Sequence, residues 1–177
     1  MSDTTEGQNT EAGGSAQQSQ PQIGILNQYI KDLSFENPNA PQSLGGSSLP
    51  NVNVNVEVQA KTLDEEVYEA ALHIVAEAKD GDTNVFMLDL TYAATFRILG
   101  VPKEQVQPVL LVECPRLIFP FARRVAADAT RDGGFPPLLL NPIDFLALFR
   151  QNIAQRQAAQ QQEDGGTAGA GGDNEAN

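Results

Sequence analysis

The 177-residue sequence is poor in the residue types on which most catalytic and cofactor sites depend. It has no Trp, one Cys, one His and two Met. The single cysteine, Cys114, excludes an intrachain disulfide framework and any metal site built from several cysteines. His73 has small and apolar neighbours and no visible orienting partner, which disfavours acid–base catalysis by this residue. These shortages favour a function other than catalysis.

Recognisable enzyme motifs are also missing. The sequence contains no G-x-S-x-G, no GK[ST] phosphate loop, no G-x-G-x-x-G and no H-E-x-x-H. Cys114 precedes Pro115 in an apolar run, which indicates a buried small hydrophobic residue rather than a nucleophile. We therefore predict a protein that is not an enzyme and needs no cofactor or metal. A small enzyme that uses His73 or Cys114 is the alternative at this point.

Basic residues are scarce, with 11 Lys and Arg against 23 Asp and Glu and a net charge of −12. Only Arg123 and Arg124 are adjacent, and phosphate backbones require clustered cations, so a nucleic-acid partner is disfavoured. Residues 23–97 hold eleven acids and four bases, whereas residues 98–156 hold five acids and seven bases. The acidic first half favours a basic protein partner.

Long apolar runs and a secretion signal are both lacking, so we expect a cytoplasmic protein without direct membrane insertion. Residues 1–22 and 157–177 are rich in Gly, Ser, Gln and acids and have no aromatic or β-branched aliphatic residue. Such segments bury too little apolar surface to offset the entropy of ordering them. We predict one folded domain over residues 23–156 between two disordered acidic tails.

Four stretches with alternating side chains predict strands that have one buried face. They are residues 24–36, 51–58, 67–79 and 84–99. The pattern predicts a meander of four antiparallel strands, although the link from Pro38 to Pro50 is long enough to cross over the sheet. In the first strand the alternation places one set of side chains together, namely Tyr29, Lys31, Leu33 and Phe35. It places the remaining side chains opposite them, namely Ile30, Asp32, Ser34 and Glu36.

After Gly100 the pattern becomes helical. Three prolines preclude one straight helix, namely Pro108, Pro115 and Pro120. We expect a helix over residues 119–130 that buries Phe121, Val125 and Ala129 and ends at Gly133-Gly134, and a last helix capped by Asn141. The order of elements predicts an α+β fold, a four-stranded antiparallel sheet with helices packed on one face. Apolar surface left over by these short helices should meet another subunit or a ligand.

Four segments carry a family resemblance, in order and at family-like spacing. They are YIKDLSFENPNAP, VYEAALHIVAEAK, ECPRLIFPFARR and GGFPPLLLNPIDFLALF. Through them the chain resembles the SecB protein-export chaperones, with IFPF in place of an LFPY form as a mild departure. The resemblance implies an ATP-independent chaperone that holds unfolded precursor proteins in a translocation-competent state and delivers them to the SecA motor. It also implies a homotetramer, a dimer of dimers.

The resemblance assigns roles to individual residues. SecA binding falls on Asp32, Glu36, Met87 and Asp89. A client groove is expected to be lined by Phe35, Leu49, Val54, Val56, Phe145 and Phe149. Plain core packing is an equal alternative for each of these six, and a solvated surface is the alternative for the acids. A SecB-like chaperone dedicated to a toxin–antitoxin pair is the alternative function, and the SecA-docking acids favour export.

Overall fold

The computed structural model describes residues 21–45 and 50–165. Its strands are β1 (Gln22–Glu36), β2 (Asn51–Asp64), β3 (Val67–Asp80) and β4 (Thr83–Leu99). Its helices are α1 (Lys103–Pro108), α2 (Cys114–Asp132) and α3 (Phe145–Gly165), with a 3₁₀ turn at Gln42–Gly45 and a π turn at Val109–Glu113. The predicted order of four antiparallel strands followed by helices is confirmed. None of these described helices is long and apolar enough to cross a membrane.

The sheet has the strand order β1-β4-β3-β2, and every neighbouring pair is antiparallel. Tight turns join β2 to β3 and β3 to β4, with positive φ angles at Glu66 and Gly81. The predicted meander is wrong for β1, which pairs with β4 instead of β2. The predicted crossover is confirmed, because the chain must pass from one edge of the sheet to the other between β1 and β2.

Strand β1 is irregular at two places, and the second one changes which side chains share a face. The register shifts between Ile30, which pairs with Tyr92, and Asp32, which pairs with Thr91. An extra residue in a strand inverts the alternation that follows it. Tyr29 therefore shares a face with Asp32, and Ile30 lies on the opposite face. This corrects the uninterrupted alternation expected for the segment.

The inner face of the sheet, the one beneath the helices, is formed by the even-numbered residues of β2, β3 and β4. Buried members of this face are Ala70, Leu72, Ile74, Ala76, Leu88, Leu90, Tyr92, Ala94 and Phe96. Helix α2 packs on it with buried residues four apart, namely Cys114, Ile118, Ala122 and Ala126. The buried face predicted for the helix over residues 119–130 is partly wrong, since Val125 is buried but Phe121 is 43% exposed. The odd-numbered residues form the outer face.

The chain is helical throughout residues 103–132, with a π turn between α1 and α2. Pro108 closes α1 before the π turn, Pro115 lies in the first turn of α2, and Pro120 lies inside α2. Helix α2 ends at Gly133, and Gly134 follows with a φ of 89°, so the predicted stop is confirmed.

Helix α3 begins later than predicted. Asp144 and not Asn141 caps it, because the Asp144 carboxylate accepts a hydrogen bond from the Ala147 N–H at 3.0 Å. The preceding connector, residues 136–144, has no regular secondary structure and leads back over β2. The helix then runs to Gly165, beyond the domain end predicted at Arg156.

Candidate functional site

An acidic patch forms on the outer face where β1 and β4 lie side by side. We define it as Asp32, Glu36, Met87 and Asp89. Glu36 lies directly opposite Met87, Ser34 lies opposite Asp89, and Asp32 lies opposite the next outer-face residue of β4. Directly opposed residues on an antiparallel pair have Cβ atoms about 4.5–5.5 Å apart. The structure thus brings together all four residues on which the family resemblance had placed SecA binding.

The patch is open to a partner. Asp32 and Glu36 are exposed, and Met87 is 37% exposed. Within residues 21–45 and 50–165, the side-chain carboxylates of Asp32 and Glu36 have no hydrogen-bond or ion-pair partner. Asp89 differs, because its Oδ1 lies 2.8 Å from His73 Nε2 on β3. Unpaired carboxylates on a rigid sheet can attract a cationic segment over a range set by the salt concentration.

At the other end of the outer face, the buried carboxylate of Glu69 links side chains of three strands. Glu69 is 6% exposed, and its Oε1 lies 2.8 Å from Lys31 Nζ and 3.3 Å from Lys61 Nζ. Burial raises the pKa of Glu69, but hydrogen bonds from Lys31, Tyr29 and Lys61 outweigh it and lower the pKa to about 2. Burial and the hydrogen bond to Glu69 raise the pKa of Tyr29 to about 12. This cluster ties β1, β2 and β3 together and is structural.

A first groove lies on the inner face at the β2 edge. It has a volume of about 380 Å³. Its lining residues are Val52, Val54, Val56, Leu138, Leu139, Leu140, Asn141, Pro142 and Ile143. Val54 is 38% exposed and Leu139 is 65% exposed. An open apolar trough beside an unpaired strand edge therefore contains two of the predicted groove residues, Val54 and Val56.

A second groove, of about 480 Å³, lies beside the 3₁₀ turn. Phe35 stands next to it in an aromatic cluster with Phe86 and Phe135, with ring centroids 5.0–6.4 Å apart. Leu44 and Phe135 line the groove itself, and Asn39 anchors the crossover segment by donating a hydrogen bond to the Asn84 carbonyl at 2.8 Å. Aromatic rings beside an open groove suit apolar side chains.

A third groove, of about 500 Å³, lies between β2 and the helices α1 and α3. Phe149 lines it. Phe145 does not reach any of the three grooves, because it is 2% exposed and packs edge-on against Phe119 at 5.9 Å. Leu49 lies outside the described residues. The five predicted groove residues that the structure describes thus do not form one continuous lining.

Some residues of the acidic patch and the grooves could not be identified from the sequence pattern. The His73–Asp89 contact joins residues on neighbouring strands and depends on a register that alternation alone does not specify. Phe135 lies in the extended stretch after α2, where no periodicity indicates its partners. Within the described part of the chain, no group of three or more His, Cys, Asp and Glu side chains is arranged to hold a metal ion.

The model of the family described as preprotein translocase subunit SecB matches residues 16–156. The chain belongs to the SecB family. This SecB chain is 50% identical over 157 residues to the protein-export protein SecB of Parvibaculum lavamentivorans, covering 88% of this chain and 94% of that protein. It is 52% identical over 143 residues to the protein-export protein SecB of Rhodopseudomonas palustris strain BisB5, covering 80% and 90%. The chain is thus a SecB protein-export chaperone by family.

The fold has a counterpart among solved structures. A Mycobacterium tuberculosis SecB-like chaperone, Rv1957, in complex with a peptide from the HigA1 antitoxin, superimposes with a TM-score of 0.56 at 15% identity. The superposition covers 68% of the SecB chain described here and 90% of the other. At this identity the likeness establishes the shared α+β fold of SecB chains.

Proposed function

We propose that this SecB chain holds unfolded precursor proteins in its apolar grooves and delivers them to the SecA motor through the acidic patch. The observation that carries the proposal is the separation of the two surfaces. The acidic patch lies on the outer face, and the groove containing Val54 and Val56 lies on the inner face at the opposite edge of the same sheet. A client and SecA can therefore be bound at the same time.

The client site is proposed to be the first groove, extended by the other two. An unfolded chain offers apolar side chains and unpaired backbone groups, and β2 is an edge strand with a free backbone edge. Val54 and Val56 receive apolar side chains, while Phe35 and Phe149 serve the neighbouring grooves. Phe145 supports the lining from beneath. Shallow grooves of this kind bind many sequences weakly, which suits a chaperone without ATP.

The homotetramer is proposed from the β1 edge. Four apolar residues of β1 lie opposite buried inner-face residues of β4 yet are 37–47% exposed, namely Ile23, Ile25, Ile30 and Leu33. Leu117 and Phe121 of α2 are exposed to 44% and 43%. Apolar surface beside an unpaired strand edge is typical of a contact between copies of one chain. A dimer formed there, and paired again through α2, covers both regions.

The assembly and the holding activity are tested together on the purified full chain. We expect a particle of four times the chain mass by light scattering, and a delay in the aggregation of a denatured precursor protein without ATP. The precursor is diluted from denaturant with and without the chaperone, and turbidity is followed. A monomer that leaves the aggregation rate unchanged contradicts the proposal.

Removing two charges of the acidic patch should weaken SecA binding. Each charged contact at such an interface is worth roughly 1 kcal/mol, so Asp32→Ala combined with Asp89→Ala should lower the affinity about tenfold or more at low salt. The measurement is calorimetric titration with SecA at two salt concentrations. Asp82→Ala combined with Glu104→Ala removes the same charge from exposed sites elsewhere and is the matched control. A loss of less than a few-fold makes the patch ordinary solvated surface.

A toxin–antitoxin partnership is the competing assignment for this fold. The similarity that suggests it rests on fold alone, at 15% identity. The assembled acidic patch supports export, because it supplies the docking surface that the export function needs. A protein that binds no SecA but solubilises a toxin would reverse this preference.

A further inference from the structure

We infer that His73 is a positioning residue of the acidic patch: its imidazole fixes the Asp89 carboxylate in the orientation that receives a cation of the docking partner. The inference rests on the proposed function and extends it to a residue that the motifs did not single out. His73 lies on β3, outside the two strands that carry the patch.

The contact is a diagonal pair across neighbouring strands. Thr91 lies opposite His73, and Val75 lies opposite Asp89, so the two side chains meet across the outer face. The Nε2–Oδ1 distance is 2.8 Å. Since an ionised carboxylate only accepts hydrogen bonds, Nε2 carries the proton and donates it. In the neutral ring, the proton is therefore on Nε2 and not on Nδ1.

The arrangement holds Asp89 without blocking it. The side chains are 30% exposed for His73 and 43% exposed for Asp89. A carboxylate offers about four acceptor positions, so the bond to His73 leaves the second oxygen free for a partner. Ser34 lies directly opposite Asp89, but among the described residues its hydroxyl makes no hydrogen bond to the Asp89 carboxylate. His73 is thus the group that restricts the Asp89 rotamer, and restriction before binding lowers the entropic cost of docking.

The groups around His73 are mostly acids. Glu57 of β2 lies directly opposite it, and Asp32 of β1 lies beyond Thr91 in the same row. Along β3, Glu69 and Glu77 lie four residues before and after His73. Glu69 pairs with Lys31 and Lys61. Glu77 pairs with Lys79. Among these groups, His73 is the one that contacts the Asp89 carboxylate.

The test uses the full chain and SecA in calorimetric titrations at low salt. Asp89→Ala should weaken binding about fivefold. His73→Ala should weaken it about two- to threefold, and the double variant should be no weaker than Asp89→Ala alone. His73→Gln should stay within about twofold of the natural protein, because an amide N–H can replace the imidazole donor.

The outcomes separate the inference from the function on which it rests. If Asp89→Ala binds SecA as tightly as the natural protein, the docking proposal fails, and the role of His73 fails with it. If Asp89→Ala weakens binding but His73→Ala binds equally or more tightly, only the positioning role is overturned. Additive losses in the double variant overturn it as well. His73→Gln keeps a hydrogen-bond donor and approximately the side-chain volume. If His73→Gln binds SecA as weakly as Asp89→Ala, the positioning role is overturned even where His73→Ala folds poorly.

Discussion

Phe145→Ala is expected to lower the free energy of unfolding by about 3–5 kcal/mol, the cost of deleting a buried aromatic side chain and leaving a cavity. Phe145 is 2% exposed and belongs to the main core cluster, where it meets Phe119 edge-on at 5.9 Å. Denaturant unfolding at one fixed protein concentration measures the change, since the stability of an oligomer depends on concentration.

The matched control for this variant is Leu146→Ala. Leu146 follows Phe145 in α3 and is 38% exposed, so its truncation should cost less than about 1 kcal/mol. A Phe145→Ala protein of natural stability that has lost only client binding would instead return Phe145 to the groove lining. The pair of variants therefore distinguishes core packing from ligand contact at the first turn of α3.

Gly133→Ala is expected to cost about 2 kcal/mol, although alanine usually stabilises a backbone position of this kind. The φ angle of Gly133 is −72°, so the backbone itself accepts alanine. A Cβ at this position would lie 2.2 Å and 2.4 Å from two ring carbons of Phe35, and the ring would have to leave its contacts with Phe86 and Phe135. Each lost aromatic pair is worth about 0.5–1.5 kcal/mol.

A double variant isolates this clash from other effects of the substitution. In a Phe35→Ala background the obstructing ring is gone, and Gly133→Ala should become neutral or slightly stabilising. Gly45→Ala, where no atom of the described residues lies within 4 Å of the added Cβ, should change stability little and controls for alanine itself. Equal costs of Gly133→Ala in both backgrounds would refute the steric explanation. Client affinity measured on the same proteins reports whether the position of Phe35 matters for the second groove.

Phe145→Ala and Gly133→Ala both change apolar contacts in places where the core lies beneath or beside the grooves. The aromatic cluster joins the end of β1 to the β3–β4 hairpin and to the stretch after α2, and the second groove opens beside it. The first groove depends equally on the inner face, because its valines belong to the same strand face that packs beneath the helices. Client contacts in this SecB chain are proposed where the apolar core reaches the surface.

Prediction from the sequence was most accurate in strands whose apolar residues alternate with the same two-residue period as their burial. The alternation of NVNVNVEV placed Val52 and Val56 on the inner face, and the even positions of β4 are buried as expected. The same regularity placed Asp89 and Met87 on the outer face. The two-residue period of a strand is local, so it can be read without knowing the strand's neighbours.

The sequence predicted poorly where an answer depended on a distant partner. The pairing of β1 with β4, the bulge near Lys31 and the exposure of Phe121 all follow from long-range packing. The start of α3 at Phe145 follows from a choice between two capping residues three positions apart, Asn141 and Asp144. Alternation, proline spacing and capping preference do not decide among such alternatives, because each is compatible with several tertiary arrangements.

Local sequence pattern is enough to specify the class of this protein: four strands followed by helices, an acidic first half, little catalytic equipment and the motifs of a SecB chain. The packing of distant segments places Asp32 and Glu36 beside Met87 and Asp89, brings His73 into contact with one of these acids, and buries Phe145 in the core. Composition and periodicity are properties of short segments. Contacts across a sheet depend on register and topology, which arise when distant segments pack together.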